Sequence, residues 1–316
     1  MHRRGFFAWS LGMAGFLAGC GTERVTGGTT VIRTEYAINP GGPRWADVAQ
    51  AFADAARAAG YRTGGGRPIT VTGLPELAAA QLNNGQSLFN AATPLSRLIG
   101  DVEVVVVPAG SPFKSFDDFG AQLLAQPGRT PLAGGPQGEP DHLLFGLIAK
   151  GLGADTRQVD YTGYPSSGEA GVALLGGKAA AAAGLFTDWR TGIGSGRVRV
   201  LAVSSAARIP DLEDVPTLLE CGVRVDFSDW VAAFGPIDMT DEGRESAIRM
   251  CEEVTASPGW RAACRAAGWI SAPLSGDDFG TWLGSEAERT RAVLRDLGLI
   301  DTTRSTTCWV GCRNGH

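Results

Sequence analysis

Five valines stand among the six residues from Val102 to Val107, a β-branched run that reads as a strand buried on both faces. Such a strand needs layers above and below it. The rest of the chain supplies candidates, because extended and helical patterns alternate. Thr30 to Ile38 is β-rich, and Asp47 to Ala59 spaces its apolar residues as a helix that stops at Gly60. Ile69 to Thr72 is a short strand, and residues 74–98 are ambiguous, with a helix around Glu76 to Leu82. After Pro108, Gly110 and Pro112 break the chain, helices are expected at Phe116–Leu124, His142–Lys150, Gly168–Leu175 and Pro216–Glu220. Extended segments are expected at Thr130–Ala133, Gln158–Tyr161, Ala179–Ala183, Val198–Ser204, Val223–Phe227 and Val231–Phe234. The remainder reads as helix over about 240–256, 258–267 and 276–297. The pattern predicts an α/β protein with mostly parallel sheets. Breaks near 108 and 229 predict two lobes joined by two crossings. Residues 29–108 with 230–300 would form lobe 1 and residues 109–229 lobe 2, with a cleft between them.

The first residues set a location. Arg3 and Arg4 precede a short apolar run from Phe6 to Ala18, and Leu17-Ala18-Gly19-Cys20 follows. A basic start, a brief apolar segment and small residues before a cut describe a secretory signal over residues 1–19. Cysteine after Leu-Ala-Gly resembles a bacterial lipobox, in which Cys20 is acylated and opens the mature chain. Arg3-Arg4 also resembles a twin-arginine signal. Gly- and Thr-rich residues up to 28 read as a tether. The expected product is extracytoplasmic, anchored by lipid to the outer face of the cytoplasmic membrane.

Removing Arg3 and Arg4 shifts the formal charge from −5 to −7, with 26 basic against 33 acidic residues. No basic stripe is present, which argues against nucleic acid. A negative body repels anions at long range, so an anion site must rely on local donors. Of six cysteines, Cys251 and Cys264 fall on adjacent predicted helices, where they could pair. Cys308, Cys312 and His316 have a loose metal-like spacing but lack a fourth ligand, so 301–316 reads as a disordered tail and no metal or cofactor is expected.

Three turns each run from a predicted strand into a predicted helix. They are Asn39-Pro40-Gly41-Gly42-Pro43, Gly134-Gly135-Pro136-Gln137-Gly138-Glu139-Pro140, and Tyr161-Thr162-Gly163-Tyr164-Pro165-Ser166-Ser167-Gly168. Open α/β sheets bind ligands at such carboxyl ends. A helix start offers unpaired N–H groups, and glycine permits close approach. Ordinary βα turns have the same composition. Read as a site, the candidates are Asn39, Gly41, Gly42, Gly135, Gln137, Gly138, Tyr161, Gly163, Ser166 and Ser167, gathered around an anion. Arg44 is a possible direct counter-charge, and Thr72 ends a short strand on the same side. His142 either donates to a carboxylate or caps and packs. Thr187 and Asp188 either cap a helix or face the cleft.

The chain resembles substrate-binding receptors of the tripartite tricarboxylate transporter family. The resemblance is carried by Pro40-Gly41-Gly42, Val104 to Pro108 with Ser111-Pro112, Tyr161-Thr162-Gly163, Leu174-Leu175-Gly176-Gly177, Arg199 to Val203, Asp214-Val215-Pro216-Thr217 and Glu220-Cys221-Gly222, in family order. It implies a two-lobed periplasmic-binding-protein-like fold, a venus flytrap, closing on a small tricarboxylate- or dicarboxylate-type organic anion. It also implies delivery to integral-membrane permease subunits by a monomeric, non-enzymatic receptor. Where the family often has an acid after the Gly-Gly turn, this chain has Trp45, which either faces an apolar ligand or packs under the helix; without that acid, a ligand amine is less expected. Two other readings remain: a lipoprotein sensor that presents its ligand to a signalling partner, and a secreted hydrolase. For the hydrolase, a Ser-His-Asp arrangement would have to use His142, and no Gly-x-Ser-x-Gly elbow is present.

Overall fold

The computed structural model describes residues 34–83 and 92–300. The leader, Cys20, the tether and residues 301–316 lie outside the described residues. The first part of the chain runs β1 (Glu35–Pro40), α1 (Ala46–Ala58), β2 (Arg62–Thr63), β3 (Arg67–Gly73), α2 (Leu74–Leu82), β4 (Ala92–Asp101) and β5 (Glu103–Pro108). The middle adds α3 (Phe116–Ala125), β6 (Leu132–Gly134), α4 (Pro140–Leu152), β7 (Tyr161–Gly163), α5 (Ser167–Leu175), β8 (Ala181–Leu185), α6 (Phe186–Gly194) and β9 (Val198–Val203). It closes with β10 (Asp229–Pro236), α7 (Asp241–Thr255), α8 (Pro258–Ala267), β11 (Ser271–Ser275) and α9 (Gly276–Asp296).

Two sheets result, ordered β11-β4-β10-β3-β1-β2 and β7-β6-β8-β5-β9. Both are mixed, where mostly parallel sheets were expected. The cause is the pair of strands that cross between them, joined in the first sheet by β11, which lies antiparallel to β4. β10 lies antiparallel to β3 and β4, and β5 antiparallel to β8 and β9. Each begins at the crossing and runs away from it, whereas β1, β3 and β4 and β6 to β9 run toward it. The sheet change falls at Val102, not at 108: β5, assigned from sequence to lobe 1, is a central strand of the second sheet. Pro108 ends a strand there and not a body.

β5 behaves as its composition requires. Val105 and Val107 enter a core with Leu143, Leu144 and Phe145, while Val104 and Val106 enter another with Leu174, Trp189 and Val203. A third core lies over the first sheet, where Phe52 and Trp260 pack edge-on at 5.6 Å. The core that receives Val105 continues into the first sheet through Trp230, Phe234 and Phe279. Helix α9 joins the halves. Phe279 and Leu283 pack near the first sheet, and further along Lys150 of α4 pairs with Asp296 at 2.6 Å. A Cβ on Gly146 would stand 3.0 Å from Val293 and Leu297, so glycine lets α4 and α9 touch.

Local differences from expectation have local causes. β4 occupies the ambiguous stretch, because Pro94, Ser96, Arg97 and Gly100 dilute a strand pattern that pairing with β10 and β11 restores. α6 starts at Phe186, so Thr187 and Asp188 lie in its first turn and not at its cap, and β11 was not foreseen. Residues 216–220 form a turn instead of a helix, with Thr217 N–H bonded to Glu220 Oε2 at 2.8 Å. Cys251 and Cys264 are separate buried thiols. Among the described residues, no helix is long and apolar enough to cross a membrane.

Two predictions follow from backbone and burial. Gly64 and Gly66 both have positive φ, at 113° and 76°, but only at Gly66 would a Cβ strike backbone, 2.2 Å from the Glu35 carbonyl. Gly64→Ala should cost about 1 kcal/mol in urea unfolding, and Gly66→Ala clearly more. The second concerns Asp101, the last residue of β4, which accepts a hydrogen bond from Ile270 N–H at 3.2 Å. Burial, aided by Asp229 and Asp188, pushes its carboxyl up to about 7 despite that bond. A carboxyl raised in the folded state gives stability below its unfolded value that is lost as pH rises through the folded one. Asp101→Asn should therefore match the parent near pH 4 and exceed it near pH 8 by at most about 4 kcal/mol, read from denaturation midpoints across that window.

Candidate functional site

The strand directions bring chemistry to one seam. β1, β3 and β4 end there at Pro40, Gly73 and Asp101, and β6, β7 and β8 at Gly134, Gly163 and Leu185. β5 and β10 begin there at Glu103 and Asp229. Every turn singled out in the sequence thus meets the same seam from one side or the other.

On the first-sheet side, Gly41 N–H donates to Val71 C=O at 2.8 Å, and a Cβ on Gly41 would stand 3.0 Å from that of Thr72. The turn is therefore pressed onto β3, and Thr72 Oγ1 is buried without a protein partner. Pro43–Trp45 form a single 3₁₀ turn behind Gly42. Trp45 is 7% exposed, its ring 3.3 Å from the Cβ position of Gly42, so it packs under the turn. Asn39 is exposed, its side-chain amide donating to Ala37 C=O. Arg44 reaches across. Its Nη1 donates to Glu139 Oε2 and its Nη2 to Asp229 Oδ2, both at 2.9 Å. Burial alone would lower the guanidinium pKa; Asp229, Glu139 and Asp141 together outweigh it and raise it.

On the second-sheet side, the glycine loop spends its donors on itself. Gly135 N–H donates to Asp141 Oδ2 at 2.6 Å, and Gly138 N–H to His142 Nδ1 at 3.0 Å. Tyr161 Oη donates to Gly135 C=O at 2.6 Å, and its ring stacks on His142 at 4.1 Å. The amides of Gly135 and Gly138, candidates for an anion cradle, are here occupied by two side chains of the following helix start, Asp141 and His142. Gly138, at φ 84°, also packs on Leu82 of α2, where a Cβ would stand 2.8 Å from Leu82 Cδ1. His142 accepts at Nδ1 and burial lowers it to about 4, so it is neutral and holds the loop. Burial pushes Tyr161 above the usual phenol range, with Asp141 adding to it, and pushes Asp141 up to about 7 against the pull of Gly135 N–H.

The two second-sheet turns abut: a Cβ on Gly163 would lie 2.9 Å from Gln137 N and 3.0 Å from Gly135 O. Between them opens a cavity of about 520 Å³ lined by Pro136, Gln137 and the stretch Tyr161 to Pro165. Ser166 caps α5 by accepting from Glu169 N–H, and Ser167 Oγ donates to Asp188 Oδ2 at 2.6 Å. Thr187 instead lines a second cavity of about 260 Å³ with Asp101, Phe186, Arg190, Trp269 and Ile270.

Several seam groups were not foreseen. Glu103, Asp141 and Asp229 are buried, and Glu139 pairs with Arg44. Neither oxygen of Glu103 has a protein partner, nor do Asp229 Oδ1 and Trp189 Nε1. Trp189 Nε1 would stand 2.7 Å from a Cβ on Gly184, whose other near neighbours include Asp141 Oδ2 at 3.6 Å. A signal existed for one of them: Glu103 is the lone charge inside the valine run. Among the described residues, no group of three His, Cys, Asp or Glu is placed to hold a metal ion.

Comparison with known proteins gives this seam a context. The family model described as "Tripartite tricarboxylate transporter family receptor" matches residues 80–298. Protein BugT of Bordetella pertussis is 30% identical over 207 residues, a stretch covering 64% of this chain and 61% of that protein. The matched stretch thus spans about three fifths of this curated relative's length. A Polaromonas TctC solute-binding protein solved without ligand superposes at TM-score 0.69 with 18% identity, covering 84% of this chain and 98% of that one. An R. palustris protein solved with adipate superposes at TM-score 0.64 with 19% identity, covering 85% and 98%. The solved structures share the solute-binding-protein fold, and the family model spans more than half of the sequence: this chain belongs to the tripartite tricarboxylate transporter receptor family.

Proposed function

We propose that this chain is an extracytoplasmic receptor that closes its two sheets, as lobes, over a small organic acid and hands it to integral-membrane permease subunits. One observation carries the reading: Arg44 spans the seam, joining a turn of the first sheet to Glu139 at the start of α4 and to Asp229 at the crossing. Arginine presents a planar fork that matches a carboxylate. Glu139 is the more exposed of its two partners, at 32% against 7% for Asp229 side chain. A ligand carboxylate entering the seam takes the place of Glu139, and Asp229 keeps the guanidinium aimed. Thr72 Oγ1 and Trp189 Nε1, both buried and without protein partners, supply further donors on opposite sides. The adipate held by the R. palustris protein supports an acid as ligand.

Lipid on Cys20 would hold the receptor beside its permease, as a monomer. Catalysis is not part of the proposal. The only histidine in the described residues, His142, already accepts a hydrogen bond from Gly138 N–H, which removes the base a Ser-His-Asp reading requires.

A thermal-shift screen of small mono-, di- and tricarboxylates and amino acids should find a stabilising ligand. At a hundredfold excess over its dissociation constant, that ligand should add about 2.7 kcal/mol; a response confined to neutral sugars would sink the reading. Arg44→Ala should weaken that ligand by at least about tenfold in calorimetry. Glu139→Ala should bind it as well as or better than the parent, because the internal competitor is gone.

A further inference from the structure

We propose that the ligand carries an ammonium group as well as its carboxylate, and that Asp229 and Glu103 form the seat for it. The proposal rests on the receptor reading above and specifies its ligand as an amino acid.

The first observation is a charge imbalance at the seam. Arg44 faces Glu139, Asp229 and Asp141, and Glu103 and Asp188 lie within electrostatic reach of the same cluster. One guanidinium therefore stands among five carboxyl groups, three of which, Glu103, Asp141 and Asp229, are raised toward the neutral form by burial until a cation meets them. A plain dicarboxylate would add two more negative charges where one guanidinium is already shared. Like charges at such range in a poorly solvated site repel strongly. A ligand that brings its own positive charge removes the conflict.

The second observation is the state of the individual carboxyl groups. Asp141 is held by Gly135 N–H, and Asp188 by Ser167 Oγ. Asp229, 5% exposed, is half used: Oδ2 takes Arg44 and Oδ1 has no protein partner. Glu103 is 0% exposed and neither of its oxygens has one. Buried polar atoms without partners are costly and uncommon. Here the unused acceptors belong to the two carboxyl groups that stand at the crossings.

The third observation is proximity. Ser204 Oγ accepts from Glu103 N–H at 3.0 Å and donates to Phe227 C=O at 2.7 Å, two residues before Asp229. Asp229 is also the register partner of Asp101, two residues before Glu103. The two carboxyl-bearing segments are thus fastened side by side. Because Asp229 bonds Arg44 through one oxygen and leaves the other open, a carboxylate on the guanidinium and an ammonium on Asp229 would sit next to each other. An α-amino acid has that arrangement of charges. The sequence places Trp45 where an acid would answer a ligand amine; the crossings provide that acid instead. A metal ion is not the alternative occupant, since no three of the described carboxyl groups are placed to hold one.

The test is calorimetry on the intact mature chain with matched pairs: L-aspartate and succinate, L-glutamate and glutarate, L-leucine and 4-methylpentanoate, L-phenylalanine and 3-phenylpropanoate. In at least one pair the amino acid should bind about tenfold or more tightly than its deaminated partner. Glu103→Gln, which keeps the shape and removes the charge, should reduce that ratio toward one while leaving the melting temperature of the free protein close to the parent value. Asp229→Asn should do the same where it folds. Deaminated acids binding as tightly as amino acids overturn the ammonium seat and leave the carboxylate receptor standing. No binding by either member of any pair overturns both.

Discussion

The bridge from Arg44 to Glu139 and Asp229 is the contact on which the seam depends. It ties a turn that follows the first strand to a helix start in the other sheet and to the strand that returns between them. Arginine is suited to this place because it keeps its charge when partly buried and offers donors in two directions. Without it, Asp229 would be a buried carboxylate with no protein donor. The surroundings are arranged to hold the fork still: Trp45 fills the space beneath the turn, and Gly41 lets that turn lie against Thr72.

The seam differs from the simplest view of an anion site built on helix starts. The loop between β6 and α4 has the glycines and the helix that such a site needs. Its own Asp141 and His142 nevertheless take the amides of Gly135 and Gly138. The loop is therefore a stiff wall, pinned by the Tyr161–His142 stack, and not a cradle. The side-chain donors left open at the seam are few, Thr72 Oγ1 and Trp189 Nε1 among them, and carboxyl groups outnumber them. That excess of acid gives the seam its chemical character.

Much of the fold could be read from sequence because its signals were local. The valine run at β5, the helical spacing of α1 and the Ser257–Pro258 start of α8 each express burial or capping within a few residues. β4 could not be read in the same way. Its Pro94, Arg97 and Gly100 are tolerated only because β10 and β11 flank it, and pairing between residues so distant in sequence leaves no local trace. The sheet change at Val102 was hidden for a similar reason: a proline after a strand looks the same whether or not a body ends there. At the site, turn composition located Gly41, Gly135 and Gly163 correctly at strand ends, but composition says nothing about which groups a loop bonds internally. Asp229 gains its meaning from three-dimensional neighbours, and Glu103 left only the trace of a single charge inside the valine run.

Helix α9 has a mechanical consequence. It shares its apolar side with both halves, through Phe279 and Leu283 at one end and Val293 and Leu297 against Gly146 at the other. Two bodies joined only by strands could swing apart like the covers of a book. A rod packed against both covers acts as the spine of that book, and the bare glycine on α4 lets the spine lie flush against the second cover.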